Sequence, residues 1–177
     1  MPKGKSEYRI EIKRREDLTP AQKTLIQEWI EDIFGDTELK HEWSEPDWHF
    51  FVLDGNETVS YLAVTERSAT VDDRAVKLAG VGSVMTPKKL RDHGLASIAM
   101  HRVHAFICEE LKADFGFLLC SYDLVPFYRK LGWELMDAPV MFGQTTGLEY
   151  WNEEAMVFPC AGQEWPEGEV DLCGPPW

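Results

Sequence analysis

The order of apolar patterns along the chain predicts a mixed α/β (α+β) domain, with a mostly antiparallel central sheet flanked by helices. Three observations carry this. A hairpin signal, Asp54-Gly55-Asn56, joins two strand-like runs, and a second turn, Asp72-Asp73-Arg74, returns a third antiparallel strand. That third strand leads through a glycine turn into a helix. A continuous apolar run, Phe115-Gly116-Phe117-Leu118-Leu119-Cys120, then reads as a strand buried on both faces.

In chain order, residues 8–13 alternate, with Tyr8, Ile10 and Ile12 on one side, as in an edge or half-buried strand. Thr19, Pro20 and Gln22 are an N-cap, an N1 proline and the far half of a capping box. The helix they start runs to about Phe34. Its stripe of Leu25, Ile26, Trp29, Ile30, Ile33 and Phe34 is assigned to the core rather than to a ligand site. Gly35 ends it, and an acidic, aromatic loop follows over residues 36–47.

Strands are expected at 48–53, 58–65 and 76–84. Gly80 and Gly82 in the last imply a bulge or a close backbone approach. A helix from Leu95 ends near Leu111. After the run at 115–120, Ser121-Tyr122-Asp123 caps a short helix over 124–131, which Gly132 ends. Further strands are expected at 133–136, 140–142 and 156–158. The tail from Gly162, rich in Gly, Pro and acid, reads as irregular. Nothing repeats and no linker interrupts the chain, so residues 1–177 read as one domain with an irregular tail over 162–177.

A 177-residue chain of 44% hydrophobic and 12% aromatic content can bury a real core, which excludes a disordered polypeptide. No apolar run is long enough to span a bilayer, and the N-terminal stretch lacks the apolar segment of a secretory signal. The cysteines at 108, 120, 160 and 173 lie far apart with no CxxC pair. That spacing argues against a zinc site and a disulfide framework, and favours a reduced, cytoplasmic setting. A formal charge of −13 repels nucleic acid and favours cationic partners, though it serves solubility equally well.

The stretch that organises the chain is Val81 to Met100. A small-residue strand breaks at Thr86-Pro87, passes Lys88, Lys89 and Arg91, and reaches Gly94 before a helix. Such a junction aims free backbone N–H groups and a helix dipole at an anion. The turn Arg91-Asp92-His93-Gly94-Leu95-Ala96 is not a Walker loop, nor a G-x-G-x-x-G loop. Its R-x-x-G-x-A pattern resembles the acetyl-CoA pyrophosphate loop of the GNAT acetyltransferase superfamily. A second segment, Pro126-Phe127-Tyr128-Arg129-Lys130-Leu131-Gly132-Trp133, resembles the superfamily's FYxKxGF/W signature. The two lie in the right order, separated by a helix and a strand, and the resemblance spans roughly residues 8–158.

Within the superfamily the chain looks most like the aminoglycoside 2'-N-acetyltransferases and their uncharacterised relatives. Leu119-Cys120-Ser121, Asn152-Glu153-Glu154 and a final Trp177 carry that narrower match. One departure stands against it. Those enzymes carry a glutamate at the start of the strand before the cofactor loop, where this chain has Ala79-Gly80-Val81-Gly82.

The resemblance implies acetyl-CoA as co-substrate, held by the amides around Asp92, His93, Gly94, Leu95 and Ala96 with charge from Arg91. The backbone of Ser83, Val84 and Met85 would pair with the pantetheine arm. Tyr128 is the general acid by position. A phenol with a pKa of about 10 is protonated at neutral pH. Ser121 is a second donor. Glu153, Glu154 and the Trp177 carboxylate are candidates for base or acceptor binding by resemblance, and Asp36 and Glu38 by loop position. His101 and His104, one turn apart, lack a third ligand, so no metal is expected. The expected partner is a small cationic amine, with no nucleic acid and no membrane, and a homodimer is left open. Two competing readings are a protein lysine or N-terminal acetyltransferase and a non-catalytic acyl-CoA-binding domain; Tyr128 speaks against the latter.

Overall fold

The structure is a computed structural model that describes residues 7–35 and 40–177. Its elements are β1 (Arg9–Arg14), α1 (Pro20–Ile33), β2 (Trp48–Asp54), β3 (Glu57–Val71), β4 (Arg74–Met85), α2 (Leu95–Ala105), β5 (Phe115–Cys120), α3 (Val125–Lys130), β6 (Glu134–Met136), β7 (Val140–Gln144), β8 (Gly147–Tyr150), β9 (Glu154–Pro159) and β10 (Val170–Asp171). The strands form one curled sheet in the order β6-β9-β5-β4-β3-β10-β7-β8, with β1 and β2 added to β3. The pairing is antiparallel except for β4 with β5 and β10 with β7.

The fifteen-residue β3 is the hub. One edge pairs with β4 along most of its length. The other edge pairs first with β2 and then, at Thr70 and Val71, with β10. Alternation splits the strands between two faces. Phe50, Leu62, Val81 and Leu118 turn toward Ala99, Met100 and Val103 of α2. Phe51, Tyr61, Ala63 and Met85 turn the other way, toward α1. On that second face the tail covers Leu78, Phe117 and Phe142.

The α1 start follows the expected box. Gln22 N donates to Thr19 Oγ1 at 3.2 Å, and Thr19 N donates to Gln22 Oε1 at 3.0 Å. The stripe on α1 packs on the sheet as assigned, and part of it serves a cavity as well. No residue of the helix is fully buried; Leu25, Trp29 and Ile33 pack half-exposed on the Phe51–Tyr61 cluster. Ile26, Ile30 and Phe34 pack on the same cluster and also line a cavity. An amphipathic stripe reports an apolar neighbour, and a ligand cavity satisfies that as well as a core does.

Three further expectations are corrected. Cys108 and Cys160 form a disulfide, their Cα atoms 5.2 Å apart. Pairing of β9 with β5 brings the end of β9 beside the turn that follows α2, which linear spacing hides. Cys120 and Cys173 are free. The tail is not wholly irregular: β10 inserts Val170 between β3 and β7 and buries Val170 and Leu172 completely. Ser121 makes no side-chain cap, and Tyr122–Leu124 is a 3-10 turn leading into α3. Among the described residues, no helix is long and apolar enough to cross a membrane.

Candidate active site

The site begins where β4 and β5 part. They pair in parallel from Leu78–Phe115 to Val81–Leu118 and then separate. On its other edge β4 is bulged, so that Gly82 faces Ala63 while Met85 faces Tyr61, and Ser83 takes a positive φ of 49°. A bulge bends its strand, and beyond Val81 β4 no longer pairs with β5. Between the two lies a cavity of about 440 Å³. Ser83 and Val84 line it. Met85 does not; it is fully buried beneath α1, and its carbonyl accepts from Ser60 Oγ at 3.1 Å.

Past β4 the chain turns into α2. Gly94 sits at the N-cap with φ 74°, and no side chain caps the helix. The first intrahelical bond runs from Ile98 N to Gly94 O, at 3.0 Å. The N–H groups of Leu95, Ala96 and Ser97 therefore have no intrahelical acceptor. Arg91 Nε is tied to Thr86 O at 3.0 Å, and His93 Nδ1 lies 2.7 Å from Arg91 O. Arg91, Asp92, His93 and Gly94 are exposed, and Ala96 is half-buried. Lys88 and Lys89 add positive charge next to this uncapped end. The arrangement suits an anion, and the carboxylate of Asp92 in the same loop is the one element that opposes it.

Across the cavity stands Tyr128 of α3, only 6% exposed. Burial, helped by the nearby Cys120 thiol, pushes its phenol above the ordinary range. It stays protonated at neutral pH and is a donor. Cys120 lines the same cavity, and burial with the charges of Glu154, Glu153 and Asp123 pushes its thiol up to about 12. That thiol is an inert neighbour and not a nucleophile. Ser121 lines the cavity beside them.

Glu153 and Glu154 separate. Glu153 is exposed and lines the cavity, the one carboxylate side chain among the described lining residues. Glu154 opens β9 opposite Cys120, outside the lining, and its carbonyl accepts from Trp151 Nε1 at 3.2 Å. Asp36 and Glu38 lie outside the described residues.

Trp177 folds back into the cavity wall and is 8% exposed. Its indole lies on Gly80 and its backbone on Gly82. A Cβ at Gly80 would fall 2.0 Å from the indole Cε2, and one at Gly82 would fall 2.9 Å from the Trp177 carbonyl carbon. This is the close approach that the two glycines imply. Arg67 of β3 holds the tail: Nη1 donates to Leu172 O at 2.9 Å and Nη2 to Ser44 Oγ at 2.6 Å. Ser44 donates to Pro175 O through Oγ and to Pro176 O through its amide. The tail and the loop before β2 are thereby locked together over the sheet.

The cavity also holds residues that sequence reasoning did not single out. His49 of β2 is 4% exposed, and its Nδ1 lies 2.7 Å from Tyr61 Oη. Burial, with the Arg15 charge, lowers its pKa to about 4, so the imidazole is neutral. A histidine inside the apolar run Trp48–Asp54 is the signal that marks it. Trp43 and Trp151 form an edge-to-face pair, centroids 6.2 Å apart and planes at 75°. His104 Nε2 accepts from Trp133 Nε1 at 2.9 Å and its ring stacks on Phe158 at 4.0 Å, which makes it a packing histidine.

A split parallel pair, an uncapped helix start beyond it and a buried tyrosine facing the split define an acyltransferase of the GNAT fold. Residues 19–136 match the family model described as "Acetyltransferase (GNAT) domain", so the chain belongs to the GNAT acetyltransferase family. No curated protein matches it in sequence. Among solved structures, Escherichia coli ElaA is similar with a TM-score of 0.63 at 13% identity, over 85% of this chain and 99% of that one. Escherichia coli YhbS in complex with CoA gives a TM-score of 0.63 at 15% identity, over 94% and 89%. A Brucella melitensis GNAT acetyltransferase in complex with acetyl-CoA gives 0.57 at 11%, over 92% and 94%. At these identities the likeness is one of fold.

Proposed function

We propose that this acetyltransferase carries an acetyl group from acetyl-CoA to the amine of a small cationic acceptor. The observation that carries the reading is the continuity of three parts. The uncapped α2 start at Gly94 offers an anion site, the bulged end of β4 offers Ser83 and Val84, and the cavity they lead to is faced by Tyr128. The solved structures of YhbS with CoA and of the Brucella enzyme with acetyl-CoA share the fold and support the cofactor.

Acetyl-CoA supplies an activated thioester. The amides of Leu95 and Ala96, with Arg91, would hold its pyrophosphate. Ser83 and Val84, at the bulge, would pair with the pantetheine arm in the manner of an added strand. The acceptor nitrogen must lose a proton to attack, and Glu153, on the cavity lining, would take it. As the C–N bond forms and the C–S bond breaks, Tyr128 gives its proton to the departing sulfur, with Ser121 beside it. Protons balance: one leaves the amine and one reaches the thiol.

The aminoglycoside reading rests on the tail and on Glu153 as carried by resemblance. Glu153 is the one acidic side chain among the described lining residues, and the carboxyl end of Trp177 lies on Gly82 in the same wall. Walls contributed by α1, the loop before β2 and the tail suit a free small amine better than a lysine on a folded protein.

The test is Gly94→Val. No atom stands within 4 Å of the added Cβ, but φ is +74°, a conformation that a β-branched residue resists. The loop must distort, and calorimetry should show acetyl-CoA affinity falling by tenfold or more, on the order of 1.4 kcal/mol. Binding as tight as wild type would place the cofactor elsewhere.

A further inference from the structure

We propose that His49 sets acceptor specificity: its Nε2 donates a hydrogen bond to an oxygen atom of the acceptor, an amine that also bears a hydroxyl or carbonyl group. This rests on the acetyltransferase reading above and deepens it.

The floor of the cavity is a row across three strands. His49 of β2 pairs with Ala63 of β3, and Ala63 pairs with Gly82 of β4. Paired residues share a face of the sheet. Adjacent strands lie about 4.8 Å apart, so the row spans roughly 10 Å. All three residues line the cavity. The backbone of Trp177 stands on Gly82 at one end, and the buried imidazole of His49 stands at the other. A small molecule resting on the methyl group of Ala63 lies between the two.

His49 is held through one nitrogen. Nδ1 lies 2.7 Å from Oη of the buried Tyr61. Nε2 is buried and has no hydrogen-bond partner among the described residues. The Pro46 carbonyl, on the same wall, favours a proton on the ring without bonding Nε2. A buried polar atom left in this state costs stability, and on a cavity wall it marks a place for a ligand atom.

The sense of that bond follows from counting protons. Burial, with the Arg15 charge, keeps the ring neutral, so it carries one N–H. If Tyr61 donates to Nδ1, the N–H is on Nε2, and it alone lacks a partner. If Nδ1 donated instead, the Tyr61 hydroxyl proton and the Nε2 lone pair would both be stranded. The first arrangement strands fewer groups, so Nε2 is a donor and what it lacks is an acceptor. Trp177 Nε1 repeats the pattern on the same wall. It too is buried and unpaired among the described residues, and an indole N–H can only donate. The group complementary to both nitrogens is an oxygen with free lone pairs.

The experiment uses matched amines that differ by one oxygen. Amino alcohols with chains of three to six carbons are compared with alkylamines carrying a methyl group in place of the hydroxyl. Tyramine is compared with 2-phenylethylamine, and 4-aminobutanamide supplies a carbonyl. Thiol release from acetyl-CoA gives kcat/KM, and calorimetry gives acetyl-CoA affinity. At one chain length or more, the oxygen-bearing member should exceed its partner by at least about tenfold, because the analogue leaves a buried N–H unpaired. His49→Phe keeps a ring and removes the donor, so that ratio should fall to within about threefold at unchanged acetyl-CoA affinity. His49→Gln keeps a donor and should restore part of the preference, which a merely structural histidine would not. Should these variants fail to fold, nitrogen NMR of the wild-type histidine side chains decides. With CoA bound, the amino alcohols should move the Nε2 resonance of His49 and the alkylamines should not. A ratio near one for every pair overturns the inference, and so does a preference that survives His49→Phe undiminished. Failure to bind acetyl-CoA, or to acetylate any amine, removes the acetyltransferase reading instead, and the NMR comparison then decides the subsite on its own.

Discussion

Gly80 is the position where the fold of the tail can be read by a single atom. In Gly80→Ala the new Cβ would stand 2.0, 2.3 and 2.4 Å from Cε2, Cδ2 and Nε1 of Trp177. Ordinary contact begins near 3.4 Å, so the indole must retreat by more than 1 Å or β4 must bend. Neither is cheap. Overpacking of this kind costs about 1–3 kcal/mol when the surroundings give way. Full ejection of an aromatic that buries about 150–250 Å² forfeits up to about 4–6 kcal/mol at 25 cal/mol per Å². We expect a loss of about 2–4 kcal/mol, which for a chain of this length lowers Tm by roughly 5–15 °C. Thermal melts followed by circular dichroism measure it, and the double variant isolates the cause. With Trp177→Gly already in place, Gly80→Ala should cost less than about 1 kcal/mol, a strong non-additivity for residues in contact. A Gly80→Ala protein that melts within 2 °C or so of wild type, or a cost unchanged by Trp177→Gly, would refute the docking of the indole on Gly80.

Three other outcomes are expected. Tyr128→Phe keeps the ring and removes the proton, so kcat should fall by about 10²–10⁴ at unchanged acetyl-CoA affinity, and a loss below about threefold would count against the acid role. Reducing Cys108–Cys160, which closes a span of 52 residues, should lower stability by up to about 4 kcal/mol in urea titrations, and an unmoved midpoint would contradict this. His49 and His104 are each lowered to about 4 from 6.5, chiefly by burial. Between those values the unfolded chain binds more protons than the folded one. Stability should therefore be intact above about pH 6.5, fall as pH drops toward 4, and lose at most about 3 kcal/mol per histidine. A urea midpoint that stays flat from about pH 7 to pH 4.5 would be inconsistent with one buried and one half-buried neutral imidazole.

Local chemistry made much of the fold legible. The Thr19–Gln22 box, the Asp54-Gly55-Asn56 hairpin and the strand over Phe115–Cys120 are each specified by a few neighbouring residues, and each stands where those residues put it. What stayed hidden depends on contacts between distant parts of the chain. Nothing local in Val170-Asp171 marks a strand; the slot between β3 and β7 makes it one. Cys108 and Cys160 meet because β9 returns beside β5. Gly80 and Gly82 announced a close approach without naming what approaches. The site divides in the same way. The Gly94 loop and Tyr128, the proposed cofactor and acid positions, lie in contiguous motifs that a linear reading can pick out. The cavity wall is assembled from α1, β2, β3 and two loops, so Trp43, His49, Tyr61 and Trp151 carry no shared sequence signal. The stripe on α1 shows the limit: periodicity reveals that a face is covered by something apolar, and cannot say whether that is protein or ligand.

The most direct test of the central reading is the stoichiometry of the reaction itself. Purified protein, acetyl-CoA and a single amine such as 2-phenylethylamine are combined, free thiol is titrated, and the amine is examined by mass spectrometry. The account predicts one acetylated amine for each thiol released, with both signals lost together in Tyr128→Phe. Thiol released without acetylated amine, or no turnover with any amine by a protein that binds acetyl-CoA, would contradict it.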